Sequence, residues 1–221
     1  MKTLFKNLFL FLIIGSISGC MMAQHRGNGN VISKTYELSS FDRISASGSF
    51  SVILTQSGEQ QIVIKVDENL VNQLEVRVVN GELQLSNRSI QNATKLVAEI
   101  NIPSISAIDA SGATDIKTTN KFSGSEIEID ASGASDILFM GDYSKIDIDL
   151  SGASNLTLIG TGKTMRAEIS GASDLKAGDF KVLNASVEAS GASDATVNVK
   201  ETLNADESGA SDIHNTQHKK N

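Results

Sequence analysis

Residues 145–160 read KIDIDLSGASNLTLIG. Apolar Ile146, Ile148 and Leu150 alternate with polar side chains as far as a Ser-Gly-Ala triplet, and Leu156 and Leu158 resume the alternation beyond it. Successive side chains on a strand point to opposite faces, so period two marks a strand with one face buried. A helix needs a period of 3.6, which Lys145 to Leu150 does not satisfy. The stretch reads as two short strands meeting at a glycine.

The triplet recurs at Gly112, Gly133, Gly152, Gly171, Gly191 and Gly209, at intervals of 21, 19, 19, 20 and 18 residues. Four positions before the glycine stand Ile108, Ile129, Ile148, Ala167, Val187 and Ala205; four after it stand Ile116, Ile137, Leu156, Leu175, Ala195 and Ile213. A unit of about 20 residues with two strands cannot bury its apolar face alone. Stacked about 4.8 Å apart, as neighbouring strands are, such units share one core and form a solenoid. Glycine tolerates positive φ and close backbone approach, so these six glycines are expected as structural turns at one corner. Flanking Ser hydroxyls there can satisfy backbone groups that the bend exposes.

The earlier part, residues 31–103, is strand-like but less regular. Ser47-Gly48-Ser49 resembles a degenerate copy of the corner, with Ile44 and Val52 at the same offsets. Strands are expected over Phe50–Thr55, Gln61–Val66, Leu74–Val79 and Glu82–Ser86. Asn80-Gly81 marks a hairpin, and Asp67-Glu68-Asn69 starts a helical turn. This part is expected to begin the stack and cover its open end, within one β-helix domain spanning 31–215. Residues 104–215 form its regular part, and 216–221 a frayed tail.

Phe41-Asp42-Arg43-Ile44, Gly48, Val52-Ile53-Leu54, Asp67-Glu68-Asn69-Leu70, Asn80-Gly81-Glu82-Leu83 and Ile102-Pro103 leading into Ile108-Asp109-Ala110-Ser111-Gly112-Ala113 follow one another in an order that resembles the putative auto-transporter adhesin, head GIN domain family. The likeness runs from about Tyr36 to Ile213. It implies an all-β fold, a right-handed parallel β-helix, in exported or lipid-anchored proteins found largely in Bacteroidetes. The family's adhesin label is itself an inference. It brings no catalytic or binding residues to carry over.

The first residues set the compartment. Lys2 and Lys6 precede an apolar run from Leu8 to Ile14 and then small residues, the layout of a secretory signal over 1–19 that is too short to span a bilayer. Ile17-Ser18-Gly19-Cys20 resembles a bacterial lipobox, with the Cys20 sulfur carrying the lipid. Cys20 is the only cysteine, which excludes internal disulfides and Cys-based metal sites. Residues 20–30 read as a flexible tether. The expected place is the cell envelope, as an outer-membrane lipoprotein facing either the periplasm or the exterior.

Without the leader, 17 basic residues face 26 acids. With no clustered Lys or Arg, nucleic acid is excluded as a partner. Eleven of the acids are organised: Asp109, Asp130, Asp149, Glu168, Glu188 and Asp206 lie three before the glycine, and Asp115, Asp136, Asp174, Asp194 and Asp212 three after it, where Asn155 takes the remaining place. Odd offsets face outward, so solvation makes the two ladders tolerable. Ca²⁺ binding by these carboxylates is the functional alternative, although the Gly-Gly-x-Gly-x-Asp calcium motif is absent. Charged edges that discourage strand addition are a third role.

Catalysis finds little support. His25, His214 and His218 lie outside the repeats, leaving no base beside a repeat serine. Equivalent carboxylates offer no pair in distinct environments for acid–base work, and Arg166 and Lys176 stand alone where a lyase needs clustered cations. The expectation is a non-enzymatic adhesion or interaction module without cofactor or metal, meeting the membrane through Cys20 and a glycan or protein at the envelope. A carbohydrate-active β-helix enzyme and an envelope structural or signalling accessory are the alternatives. Oligomeric state stays open.

Overall fold

The alternation of the repeats becomes a stack of coils in the structure, a computed structural model that describes residues 25–217. Its N-terminal part contains β1 (Val31–Tyr36), β2 (Arg43–Gly48), β3 (Ser51–Gln56), β4 (Gln61–Asp67), a 3-10 turn (Glu68–Gln73), β5 (Leu74–Val79), β6 (Glu82–Asn87) and β7 (Leu96–Ile102). The regular part follows as β8 (Ala107–Gly112), β9 (Asp115–Thr118), β10 (Phe122–Ala131), β11 (Asp136–Leu150), β12 (Asn155–Ile169), β13 (Asp174–Ala189), β14 (Asp194–Glu207) and β15 (Asp212–Asn215). The fold is a β-solenoid of about five turns joined to a less regular β region.

Parallel pairing stacks equivalent positions of successive coils. Ile108 lies beside Ile129, Ile129 beside Ile148, Ile148 beside Ala167 and Ala167 beside Val187. All five are buried. Each large aliphatic side chain removed from water contributes about 1.5–3 kcal/mol, and the column is continuous only because the coils share a register. Aromatic residues make up only 5% of the sequence. The few aromatics are nevertheless concentrated inside: Phe50, Phe122, Phe139 and Phe180 are fully buried, and the buried Tyr143 hydroxyl donates to the Ile105 carbonyl at 2.9 Å.

At the corner, Gly112, Gly133, Gly152, Gly171, Gly191 and Gly209 take φ between +75° and +82°. A Cβ at Gly152 would lie 2.6 Å from the Gly133 carbonyl oxygen. Both the left-handed backbone and the close stacking therefore require glycine. The ladder passes through the bend unbroken, with Ala153 N–H donating to Gly133 and Ala172 N–H to Gly152, each at 2.8 Å. Just inside it runs a column of fully buried hydroxyl side chains, Thr114, Ser135, Ser154, Ser173 and Ser193. Four of them donate to the carbonyl three residues back: Thr114 to Ser111, Ser135 to Ser132, Ser154 to Ser151 and Ser193 to Ser190, at 2.8–2.9 Å. The hydroxyls that serve the bend thus stand two positions after the glycine.

The N-terminal part stacks out of sequence order. β2 pairs with β8, placing Gly48 beside Gly112, and β3 pairs with β9. On their other side β2 meets β6 and β3 meets β7, again in parallel. The coil made later in the chain, β6–β7, therefore lies outside the coil made first. Antiparallel strands finish this end, β5 on β6, β4 on β7 and β1 on β4. Asn80 and Gly81 turn the β5–β6 hairpin with φ of 52° and 77°.

The described parts of the expected tether and tail, residues 25–30 and 216–217, are hydrogen-bonded to the body. His25 N–H donates to the Ser89 carbonyl at 3.0 Å, Asn28 N–H to Asn69 at 3.1 Å and Gly29 N–H to the buried Asp67 carboxylate at 2.8 Å. Residues 25–30 are thus fastened to the cap by polar contacts that hydrophobic periodicity cannot register. Thr216 N–H donates to Val197 and the Gln217 amide to Asn198. The leader with Cys20, and residues 218–221, lie outside the described residues. At the last coil, Glu207 occupies the column filled earlier by buried Leu150, Ile169 and Ala189. Its carboxylate accepts the Ile213 N–H at 2.8 Å. A charge in the inward column ends the stack where an apolar residue would invite another strand.

Candidate functional site: an acidic face along the coils

The residues before the corner glycine present one outward face, and register brings its acids together. Asp109 lies beside Asp130, Asp130 beside Asp149, Asp149 beside Glu168, Glu168 beside Glu188, and Glu188 beside Asp206. Two residues earlier in each coil runs a second column, Glu128, Asp147, Arg166, Ser186 and Asn204. Between the columns opens a groove of about 500 Å³ whose walls include Asp109, Glu128, Asp130, Asp149 and Glu168. A hollow of about 300 Å³ continues along the same column at Glu188 and Asp206.

Carboxylates one strand apart repel by about 1 kcal/mol per pair in water. The structure relieves part of this with interleaved cations. The Lys145 ammonium bridges Glu126 and Asp147, and Arg166 pairs with Glu168. Arg166 stands in the second column and Lys145 two positions before it, so the ladder positions alone do not reveal these contacts. Ser45, beneath Asp109 in the same column, donates its hydroxyl to that carboxylate at 3.1 Å.

Asp130 stands apart from its neighbours. Partial burial, followed by the charges of Glu128, Asp149 and Asp109, pushes its carboxyl up to about 6. The repeat pattern makes the ladder acids look equivalent; three surrounding carboxylates and lost hydration make this one different.

The second ladder lies after the corner, with Asp115 beside Asp136, then Asn155, Asp174, Asp194 and Asp212. It is less charged where it is most enclosed. Asn155 donates its amide to Asp136 at 2.7 Å, and Lys176 lies 3.7 Å from Asp174. A shallow groove of about 330 Å³ beside it is floored by Ile116, Ile137 and half-exposed Leu138.

A surface of this kind can attract cations or basic groups without a deep enclosure. Among the described residues, no group of three or more His, Cys, Asp and Glu side chains has the geometry to hold a metal ion. His25 lies on the cap, and His214, expected outside the repeats, is on β15 beside Thr196; neither reaches the Asp130 groove. No helix among the described residues is long and apolar enough to cross a membrane.

Known proteins share this architecture. The fold is similar to that of a putative adhesin from Bacteroides fragilis NCTC 9343, with a TM-score of 0.77 at 20% identity over 86% of this chain and 99% of that one. A putative lipid binding protein from Parabacteroides distasonis ATCC 8503 gives a TM-score of 0.72 at 17% identity, covering 88% of this chain and 100% of its own. A putative adhesin from Parabacteroides merdae ATCC 43184 gives 0.68 at 17%, covering 88% and 99%. At such identities the likeness shows the fold. No curated protein matches the chain. The family profile matches residues 40–218, and on that span the chain belongs to the putative auto-transporter adhesin, head GIN domain family.

Proposed function

We propose that the protein is a non-enzymatic adhesion module of the cell envelope, held to the outer membrane by lipid on Cys20, with its acidic face turned to a partner of opposite charge. One observation carries this reading: the column from Asp109 to Asp206 keeps its register across six stacked strands. A rigid row of like charges at strand spacing suits an extended basic protein surface, and its attraction weakens as salt shortens the screening length. The test uses the mature chain immobilised against envelope extracts and purified basic proteins. Binding is expected to fall steeply between 50 and 500 mM NaCl, values chosen to span screening lengths from roughly 14 to 4 Å. It should also fall in the combined Asp109→Asn, Asp130→Asn, Asp149→Asn and Glu168→Gln variant. Retention by that variant of full, salt-insensitive binding contradicts the proposal. The anchor is tested separately: Cys20→Ser should release the protein from the membrane fraction.

Asp130 favours a second reading, a carbohydrate-active enzyme. A carboxyl at about 6 beside other carboxylates is the type of acid that glycoside cleavage uses. Turnover of any polysaccharide that Asp130→Asn abolishes would establish it and displace the adhesion reading.

A further inference from the structure

Among the described residues, β1, β5 and β15 pair with a neighbour on one side only. An unpaired edge offers free N–H and C=O groups to any further strand, and proteins guard such edges with charge. Two of these three are guarded. In β1 the inward column carries Lys34, beside Ile64. At β15 the Glu207 carboxylate occupies the edge-facing Ile213 N–H at 2.8 Å.

β5 has neither device. Its inward column is Leu74, Val76 and Val78, beside Asn87, Leu85 and Leu83 of β6. Leu83 and Leu85 are buried, but no described strand lies beyond β5, and its three aliphatic side chains stay half-buried. Arg88 N–H donates to the Gln73 carbonyl at 2.9 Å, which sets the alternation of the antiparallel pair. Odd-numbered residues bond to β6, and the N–H and C=O groups of Val76 and Val78 face the open edge.

The outward face of β5 names the strand that fits. Glu75 and Arg77 stand two residues apart there and pair with each other. That order is complementary to itself. When two copies of β5 run antiparallel with Val76 opposite Val76, each Glu75 meets the partner's Arg77 and each Leu74 meets the partner's Val78. Sliding the register by two residues sets Arg77 against Arg77 in one direction and Glu75 against Glu75 in the other. Like charges directly opposite are unfavourable, so one register is selected.

We propose that a second copy of this chain continues the sheet across β5, forming a two-fold dimer with Val76 on the axis. The join occupies the free edge groups and covers the half-buried column. It also closes on itself, because a two-fold contact uses the same edge in both copies, and the other edges are guarded. The axis stands normal to the joined sheet, so both acidic faces lie on one side. The pairing does not depend on what those faces bind.

The experiment is sedimentation of the mature chain over a concentration series, in a Cys20→Ser background that removes the only thiol. A reversible monomer–dimer equilibrium is expected. Arg77→Glu and Glu75→Arg each turn two attractive pairs into repulsive ones and should each raise the dissociation constant about tenfold. The double variant, Glu75→Arg with Arg77→Glu, restores the complementarity and should restore the dimer. Val76→Lys, which gives β5 the guard that β1 carries, should leave monomer alone. The combined Asp109→Asn, Asp130→Asn, Asp149→Asn and Glu168→Gln variant should dimerise as before, so this inference and the acidic-face proposal fail separately. A chain that stays monomeric at every concentration overturns the inference. So does a dimer that the single reversals leave intact, that the double variant fails to restore, or that the ladder variant loses.

Discussion

The regular coils and the N-terminal cap solve one problem, burying a sheet face, by opposite means. In the coils, residues 107–217, each contact repeats at fixed spacing, and 18 acids face 8 bases. In the cap and first coils, residues 25–106, strands pair out of order and in both directions, and 8 acids face 7 bases. Repetition copies whatever stands at a position into a column, for apolar interior and for outward charge alike. An irregular region escapes this amplification, so it can close the stack.

The contrast is broken most severely at the glycine ridge. Gly152→Val adds a side chain where φ is +75° and the Gly133 carbonyl oxygen is 2.6 Å away. A loss of about 3 kcal/mol or more is expected in urea unfolding. Gly58→Ala in the N-terminal part, where nothing lies within 4 Å of the added carbon, should change stability by less than about 0.5 kcal/mol. Equal losses at both positions would remove the distinction.

Next comes the cap's own anchor. Burial opposes the Asp67 charge, but hydrogen bonds from Thr94 and from the backbone N–H groups of Gly29, Thr94 and Lys95 outweigh it and hold the carboxyl below its usual range. Asp67→Asn should cost about 2 kcal/mol, because buried donors lose an ionised acceptor. Amide exchange should speed up first at Gly29 and Thr94, leaving the coils protected.

Smaller effects separate the regions by pH. The folded chain holds a proton on Asp130 up to about pH 6, where an ordinary carboxyl near 3.8 has released it. Stability therefore rises as pH falls from 7 through that window. Asp67 works oppositely: its lowered value adds stability above the ordinary carboxylate range, lost as pH falls through the folded value. Melting temperature should peak in mild acid, between those two windows. Asp130→Asn should flatten the rise and add about 1 kcal/mol at pH 7, a figure reduced for screening at a partly exposed site. The smallest effect tests the cation alternative. With no metal cluster among the described residues, millimolar CaCl₂ and EDTA should give the same melting temperature, and a clear rise with Ca²⁺ would reinstate the ladders as its ligands.

How much was legible follows from the same contrast. The even spacing of the glycines announced the coils, the ±4 positions that are buried in every coil but the last, where Ala205 is exposed and Ile213 half-buried, and both acidic columns. In the cap, Leu74–Val79 and the Asn80-Gly81 hairpin were readable because their signals are local. The stacking of β6–β7 outside β2–β3 was not, since no spacing links segments paired across a non-repeating stretch. β1 escaped notice because Lys34 interrupts its inward column beside Ile64. β7 was overlooked although Leu96, Ala98, Ile100 and Ile102 alternate cleanly. The hydroxyl column needed only one more aligned position, since Ser or Thr follows every Ser-Gly-Ala. Asp130's distinct acidity depends on neighbours from several segments, which no single pattern displays.

In a Cys20→Ser background, one pair of cysteines probes whether successive coils hold their carboxylates side by side. Asp130→Cys with Asp149→Cys places thiols on paired residues, about 4.8 Å apart across neighbouring strands, within disulfide reach. Asp130→Cys with Glu168→Cys spans two strand spacings, about 9.6 Å, beyond it. Mild oxidation should close the first pair quantitatively and leave the second as free thiols. Closure of the second pair, or of neither, would contradict the in-register ladder and the binding face built on it.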